Sequence, residues 1–316
     1  MSADDKKLVI ISGPTATGKS QLAIELSLRL KSQRIDSEII SADSAQIYRF
    51  MNVGTDKLAF EERKGVPHHL IDVVNPDEHF DAMIFRSLAL KEIDRMHQEN
   101  KIPILVGGTG FWIKTLIYGL FPGPSRNQTL RRNLEKTASE QGIEFLYQQL
   151  QKIDPASAQR IHPKDAHRII RALEVFELTQ KPLSAHFQNQ AQKTQFQILY
   201  LALNLDRNLL YEKINRRVEE MLKKGFLEEV KKLREMGYAP ELPSQKIIGY
   251  RQLHEYLDGQ LTYEKAVHEI KKQTRHYARR QLIWLRAEPM VRWIDPQERD
   301  KIFDLAEKFY QEKKND

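Results

Sequence analysis

The sequence predicts an α/β fold, a mainly parallel sheet with helices on both faces, with a helical insertion and a helical C-terminal region. Three observations carry this expectation. Short apolar runs alternate with helical stretches through the first third of the chain, the pattern of strand–helix–strand units. The first run ends in Gly13-Pro14-Thr15-Ala16-Thr17-Gly18-Lys19-Ser20, a match to G-x-x-x-x-G-K-[ST] that makes the sheet P-loop NTPase-like. The alternation breaks at Phe121-Pro122-Gly123-Pro124-Ser125 and resumes near residue 196, so a polar helical stretch interrupts the sheet.

Each element follows in order. Residues 8–11 form a buried-strand run, and residues 20–30 a helix with Leu22, Leu26 and Leu30 on one side. Residues 38–41 are a second strand, ending at Ala42-Asp43-Ser44. Residues 69–74 are expected as a third strand, closed by Asn75-Pro76, and residues 80–98 as a helix. Residues 102–106 form a fourth strand, closed by Gly107-Gly108-Thr109-Gly110. Residues 196–203 bring the chain back to the sheet. Three helices punctuated by Gly225, Gly237 and Gly259 follow, and residues 290–294 give a last strand before Pro296. The expected division is a core of residues 1–122 and 196–316 with an inserted helical domain, residues 123–195.

With 41% hydrophobic and 29% charged residues over 316 positions, the chain can bury a sizeable core. No window approaches the run of about 18 apolar residues that a membrane helix needs. The first residues lack the apolar stretch of a signal peptide. There is no cysteine, which excludes disulfides and thiolate zinc sites. A cytoplasmic monomer with no membrane partner is expected. The net charge of +7 is concentrated: residues 206–286 hold 18 Lys/Arg against 12 Asp/Glu, and residues 271–286 hold six basic residues and no acid. Such a concentration is the footprint of a phosphate-rich partner, although a solvated helix face has the same composition.

The glycines of the loop let backbone N–H groups turn inward toward phosphate oxygens, and the helix N-terminus behind them adds positive potential. Lys19 neutralises terminal phosphate charge and Ser20 is placed to ligate Mg2+. The motif leaves open whether the ligand is a diphosphate or a triphosphate. Asp43 lies beyond the second strand, where open α/β sheets bind ligands. There it can hold Mg2+ through water, accept a proton, or cap the next helix. Thr109 faces the same crevice, with a hydroxyl able to donate to a phosphate oxygen. The pairs His68-His69 and His162/His167 have no obvious third ligand, so no transition-metal site is expected. On residues 264–286, Val267, Ile270, Thr274, Tyr277 and Trp284 form one helical stripe, and Lys272, Arg275, Arg279 and Arg286 another. Arg168 and Arg171 form a second basic pair.

These residues resemble those of the tRNA dimethylallyltransferases, of the bacterial type. The resemblance runs through Gly13 to Ser20, Ser41-Ala42-Asp43-Ser44-Ala45-Gln46-Ile47-Tyr48, Gly65-Val66-Pro67-His68-His69-Leu70-Ile71-Asp72 and Leu105-Val106-Gly107-Gly108-Thr109-Gly110. It continues through Arg160-Ile161-His162-Pro163-Lys164-Asp165, Arg168-Ile169-Ile170-Arg171-Ala172-Leu173-Glu174-Val175, Ile248-Gly249-Tyr250-Arg251-Gln252 and Arg279-Arg280-Gln281-Leu282-Ile283-Trp284-Leu285-Arg286. Leu58, where the family usually has Pro, and Phe111-Trp112 depart from its pattern.

The resemblance implies transfer of a dimethylallyl group from dimethylallyl diphosphate to the N6 amine of the adenosine 3′ of the anticodon, in tRNAs reading codons that begin with U. It implies that residues 13–20 cradle the diphosphate with Mg2+ on Ser20 and Asp43. Asp43 would be the general base, Thr109 would contact the bridging oxygen, and Lys19 and Arg217 would hold the leaving group. Ser44, Ala45 and Gln46 would lie beside the adenine. Arg131, His167, Arg168, Ile169, Ile170, Arg171, Gln245, Lys246, Gly249, Tyr250, Arg251, Arg275, Arg279 and Arg280 would hold the anticodon stem-loop. A small-molecule P-loop kinase, a prenyltransferase acting on free AMP or ATP, and a non-enzymatic RNA-binding module are the competing readings. The first two leave the basic C-terminal third without use, and the last leaves Lys19, Asp43 and Thr109 without use.

Overall fold

The structure, a computed structural model, describes residues 6–119, 123–124, 127–188 and 194–311. Phe121, Pro122 and Ser125 of the expected turn lie outside them. Continuous apolar runs give strands buried on both sides, as a parallel sheet between helices requires. They are β1 (Lys7–Ser12), β2 (Ser37–Ser41), β3 (His68–His69), β4 (Ile102–Gly107), β5 (Gln197–Leu203) and β6 (Val291–Ile294), in the spatial order β3-β2-β4-β1-β5-β6. Every pairing is parallel, with Val9 opposite Ile104 and Ile10 opposite Tyr200 around the central strand.

Helix α1 (Lys19–Ser32) follows β1, α2 (Ala82–Gln98) precedes β4, and α3 (Gly110–Tyr118) follows it. Side chains alternate along a strand, so the sheet offers two apolar faces. Val9, Ile11, Ile104, Val106, Leu199 and Leu201 pack with Leu22, Leu26 and Leu30 of α1. The alternate residues Leu8, Ile10, Ile40 and Leu105 are equally buried, and α2 lies against β4 and β2 with Phe85, Ala89 and Ile93 inward. Asp81 starts α2 by accepting from the N–H groups of Met83 and Ile84, as an N-cap acid does.

The third strand is shorter than the sequence predicts. Only His68 and His69 pair with β2, and Val74 makes one isolated bridge to Tyr48. Leu70 (φ 59°) and Asp72 (φ 56°) are left-handed, a conformation no strand accommodates. Asp72 turns back to pair with Lys57 at 2.6 Å. That long-range ion pair overrides the local apolar pattern.

The chain divides into two compact units, Met1–Ile117 with Thr194–Asp316, and Tyr118–Lys193. Among the described residues the regular elements of the second are all helices: α4 (Gln128–Gln141), α5 (Ile143–Ile153), α6 (Pro155–Arg160), α7 (Ala166–Thr179) and α8 (Leu183–Gln188). Its core is Leu146, Leu150, Ala158, Ile161, Ile169, Ile170, Ala172 and Leu173. Buried Asp154 ties three of its helices, accepting from Ser157 N at 3.0 Å and from the hydroxyl of Ser184 at 2.6 Å.

Between β5 and β6 the sequence predicts three helices. There are four: α9 (Arg207–Lys223), α10 (Phe226–Glu235), α11 (Tyr250–Leu257) and α12 (Tyr263–Arg286). Gly237 opens not a helix but a loop ending in a 3₁₀ turn, Pro243–Lys246. A last helix, α13 (Arg299–Gln311), packs on α1 beside β5. No helix among the described residues is long and apolar enough to cross a membrane.

Candidate active site

The loop between β1 and α1 is held from below by its own atoms. The Pro14 carbonyl accepts from Thr17 Oγ1 and from Lys19 Nζ, each at 2.8 Å. Thr15, Ala16, Gly18, Lys19 and Ser20 then line a cavity of about 220 Å³ together with Asp43, Gln46, Asp56, Arg217, Tyr277 and Gln281. Gly13, Pro14 and Thr17 lie buried beneath it. Lys19 is held at a pKa of about 8, below its usual 10.5; burial is the main cause and Arg217 the second, while Asp43 opposes them. Burial and the neighbouring guanidinium thus both disfavour the charged form.

The turn after β4 lies against the turn after β2. Gly107 must be glycine, since a Cβ there would lie 2.2 Å from the Ala42 carbonyl oxygen. This close approach lets Thr109 N reach Ala42 O at 3.2 Å and Thr109 Oγ1 accept from Ser44 N at 3.0 Å. No helix follows Asp43. Its carboxylate accepts from Ala45 N at 2.9 Å and closes a turn, so the alternative in which it caps a helix does not hold. Gln46 donates to the Thr55 carbonyl at 3.4 Å.

A second cavity of about 340 Å³ meets the first. Thr15, Asp43, Arg217 and Tyr277 line both, and the second adds Ser44, Ala45, Thr55, Met221, Lys246, Ile247, Ile248, Ile270 and Arg280. Tyr277 hydrogen-bonds Thr109; burial first, then the charge of Asp43, pushes its pKa up to about 12. The neutral hydroxyl thus stands at the junction as a donor.

The sequence assigns Tyr277 to a packing stripe and gives no role to Gln281. The buried seam of α12 is instead Ala266, Ile270, Ala278, Gln281 and Leu285, about one residue round from the expected stripe. Gln281 accepts from Thr15 N and donates to Gly108 O, both at 2.9 Å. It is the bridge between the two glycine loops. A polar residue amid the apolar repeat of α12 was the available signal.

Asp56 and Glu229 also escape the sequence reading. Arg217 touches Thr15 Oγ1 through Nη1, and its Nε lies 2.9 Å from Asp56 Oδ2. The buried Nε–H is not aligned on that oxygen and has no hydrogen-bond acceptor. Glu229, on α10, receives Asn52 N (2.8 Å), Val53 N (2.7 Å), Gly54 N (3.0 Å) and the Tyr250 hydroxyl (2.6 Å). A Cβ on Gly54 would lie 2.1 Å from the Phe226 ring, so only glycine lets this loop approach α10.

Several residues expected to touch RNA belong to the interior. Tyr250 is fully buried under Glu229, and Gln245 is buried with its Oε1 on His254 Nε2 at 3.0 Å. Gly249 (φ 99°) packs on the Phe226 ring. Lys246 and Arg280 reach the second cavity, and Arg251 is exposed beside Glu255. Arg275 donates to Asn215 at 2.7 Å, and Arg279 is exposed. Lys272 pairs with Glu269 at 2.9 Å. In the helical unit, Ile169 and Ile170 are core residues. Arg171 pairs at 2.7 Å with Glu174, which is fully buried and also neighbours Arg131. His167 and Arg168 are exposed. No cluster of three His, Asp or Glu side chains suited to a metal occurs among the described residues.

A parallel sheet with a G-x-x-x-x-G-K-S loop, half-buried cations over that loop and a carboxylate at the adjoining strand end defines the P-loop group-transfer class. A family model described as IPP transferase matches residues 46–288, and the chain belongs to that family. A tRNA dimethylallyltransferase of Carboxydothermus hydrogenoformans is 44% identical over 292 residues, 92% of each chain. One from Geobacter sulfurreducens is 44% identical over 307 residues, 96% of this chain and 97% of that one. Among solved structures, the tRNA isopentenylpyrophosphate transferase of Bacillus halodurans superposes with a TM-score of 0.72 at 37% identity, covering 97% of this chain and 98% of that one. A eukaryotic dimethylallyltransferase acting on tRNA superposes with a TM-score of 0.83 at 28% identity, covering 97% of this chain and 80% of that one.

Proposed function

We propose that the protein transfers the dimethylallyl group of dimethylallyl diphosphate to the N6 amine of the adenosine 3′ of the anticodon, in tRNAs reading codons that begin with U, and releases diphosphate. It acts as a cytoplasmic monomer on the anticodon stem-loop. The observation that carries this reading is the meeting of two cavities at Asp43. One runs to the phosphate loop and the other opens between Lys246 and Arg280, so two substrates can meet at one acid.

The chemistry asks for these groups. The adenine amine is a weak nucleophile, and the barrier is charge separation as the allylic carbon leaves its oxygen. Lys19, Arg217 and the loop N–H groups stabilise the departing diphosphate. Tyr277 supplies a hydroxyl at the junction, and the Thr109 hydroxyl that it hydrogen-bonds contacts the bridging oxygen in this reading. The nitrogen–carbon bond forms, the carbon–oxygen bond breaks, and Asp43 takes the amine proton. The base must leave its stack to enter. Ser20 and Asp43 line the phosphate cavity and suit Mg2+, which takes its other ligands from phosphate and water and would offset charge on the leaving group.

Ser44, Ala45 and Gln46 flank the base in this reading, while Lys246, Arg251, Arg275, Arg279, Arg280, His167 and Arg168 meet RNA phosphates. Arg131 and Arg171 act tied to Glu174; Ile169, Ile170, Gln245 and Tyr250 brace the contact segments. The test is incubation with labelled dimethylallyl diphosphate, Mg2+ and unmodified tRNA, in parallel with AMP and ATP. Label is expected on tRNA alone; equal labelling of AMP would overturn the tRNA assignment.

A further inference from the structure

The cation that faces the phosphate loop already has an anion of the protein's own beside it. Asp56 Oδ2 stands 2.9 Å from Arg217 Nε, and Asp56 lines the phosphate cavity with Lys19 and Ser20. A mobile acid could swing away from an arriving phosphate at little cost. Asp56 is restrained: its loop is pinned on both sides, so the half-exposed carboxylate can turn about its own side-chain bonds but cannot leave the cavity wall. Glu229 receives the N–H groups of Asn52, Val53 and Gly54. Lys57, whose side chain is 3% exposed, donates to the Tyr48 carbonyl and pairs with Asp72. Within the loop Asp56 N reaches Val53 O at 3.0 Å and Lys57 N reaches Asn52 O at 2.9 Å. The backbone of Asp56 is itself left-handed (φ 51°).

We propose that Asp56 is a resident counter-anion of Arg217 that competes with diphosphate, weakening the hold on the product and hastening its release. The proposal rests on the reading of the phosphate cavity as the diphosphate site. With the cavity empty, Asp56 keeps the guanidinium beside Thr15. When diphosphate arrives, the unsatisfied Nε–H of Arg217 gains an acceptor, and the carboxylate remains a like charge close to the ligand. A site built only from Lys19, Arg217 and the loop N–H groups would keep its product too long. This neighbouring acid offsets part of that attraction for bound donor and bound product alike, which is the direction that favours turnover.

The test is calorimetric titration of inorganic diphosphate with Mg2+ into the parental protein and into Asp56→Asn. Asn tolerates the left-handed backbone and keeps the side chain's shape, and Asp56→Ala serves as a second variant. Both should bind diphosphate about fivefold tighter than the parental protein, with the gain shrinking as salt rises. In turnover, inhibition by added diphosphate should strengthen by the same factor. Unchanged binding in both variants would overturn the proposal. Weaker binding would also overturn it, because Asp56 would then be holding the ligand or its metal. A parental protein that fails to bind diphosphate at all would instead sink the reading of the cavity, a separate and distinguishable failure.

Discussion

Replacing Gln281 tests whether the phosphate loop is held in shape from the far end of the chain. The residue is 6% exposed, and its amide spans Thr15 N and Gly108 O, each at 2.9 Å. Gln281→Leu keeps much of the volume and removes both bonds. A buried backbone group left without its partner costs roughly 1–3 kcal/mol. Thr15 borders a cavity and water can partly replace its partner, so the loss of stability should be roughly 2–4 kcal/mol. The catalytic loss should be larger than stability alone accounts for, because a displacement of about 1 Å at a reacting site can cost around 10²-fold. Gln281→Glu separates the two roles. One carboxylate oxygen still accepts from Thr15, but the other faces the Gly108 carbonyl, and a negative charge now sits behind the phosphate cavity. The Glu variant should therefore lose diphosphate affinity beyond the Leu variant at similar stability. Urea unfolding, diphosphate titration and single-turnover transfer measure the three quantities. A Leu variant within about 0.5 kcal/mol of the parent and equal in single-turnover rate would refute the bridging role.

Other expected outcomes follow from the same geometry. Asp43→Asn should slow single-turnover transfer by ~10²–10⁴-fold at saturating dimethylallyl diphosphate and Mg2+; transfer at the parental rate would remove Asp43 as the base. Lys19 has a pKa of about 8 in the free protein against its usual 10.5, and a bound diphosphate favours the ammonium. Binding should therefore take up a proton between those two pH values and none well below the lower one. Titration enthalpies in buffers of different ionisation heat check this, and buffer-independent enthalpies at pH ~8.5 would contradict it. Arg279, exposed on α12, should lower the slope of log affinity for tRNA against log salt by ~0.7 when changed to Ala. Filter binding at several salt concentrations would show an unchanged slope if this cation were only a solvated one.

What was legible in the sequence was local. Residues 13–20 carry their geometry in the glycine spacing, and Asp43 and Thr109 follow from where strands end in an open sheet. The inserted helices show as a break in strand alternation. What escaped depends on partners far away in sequence. Asp56 gains meaning only beside Arg217, 161 positions later, and Gln281 only beside Thr15 and Gly108. Residues 69–74 have the composition of a strand, and nothing local announces that Asp72 turns to Lys57. The string Ile248-Gly249-Tyr250-Arg251-Gln252 reads equally well as a contact surface or as a buried brace; the burial of Tyr250 and its 2.6 Å bond to Glu229 favour the brace.

The dependence on distant partners has a mechanical consequence. The phosphate loop belongs to the first 20 residues, yet its Thr15 is held by two groups from the last third of the chain. Arg217 comes from α9 and Gln281 from α12, and these helices pack on each other through Ile214, Leu210 and Ala278. On α12, Gln281 points inward while Arg279, two residues away, faces solvent, as helical geometry requires of such a pair. A packed helix moves as a body, so a load on its outer face reaches Thr15 through the bonds on its inner face. In the proposed reading the eight-residue motif marks where phosphate binds, whereas the shape of the cradle depends on α9 and α12 being docked. A fragment ending before α9 would keep the motif and lose Arg217, Tyr277 and Gln281 together, and with them the junction of the two cavities.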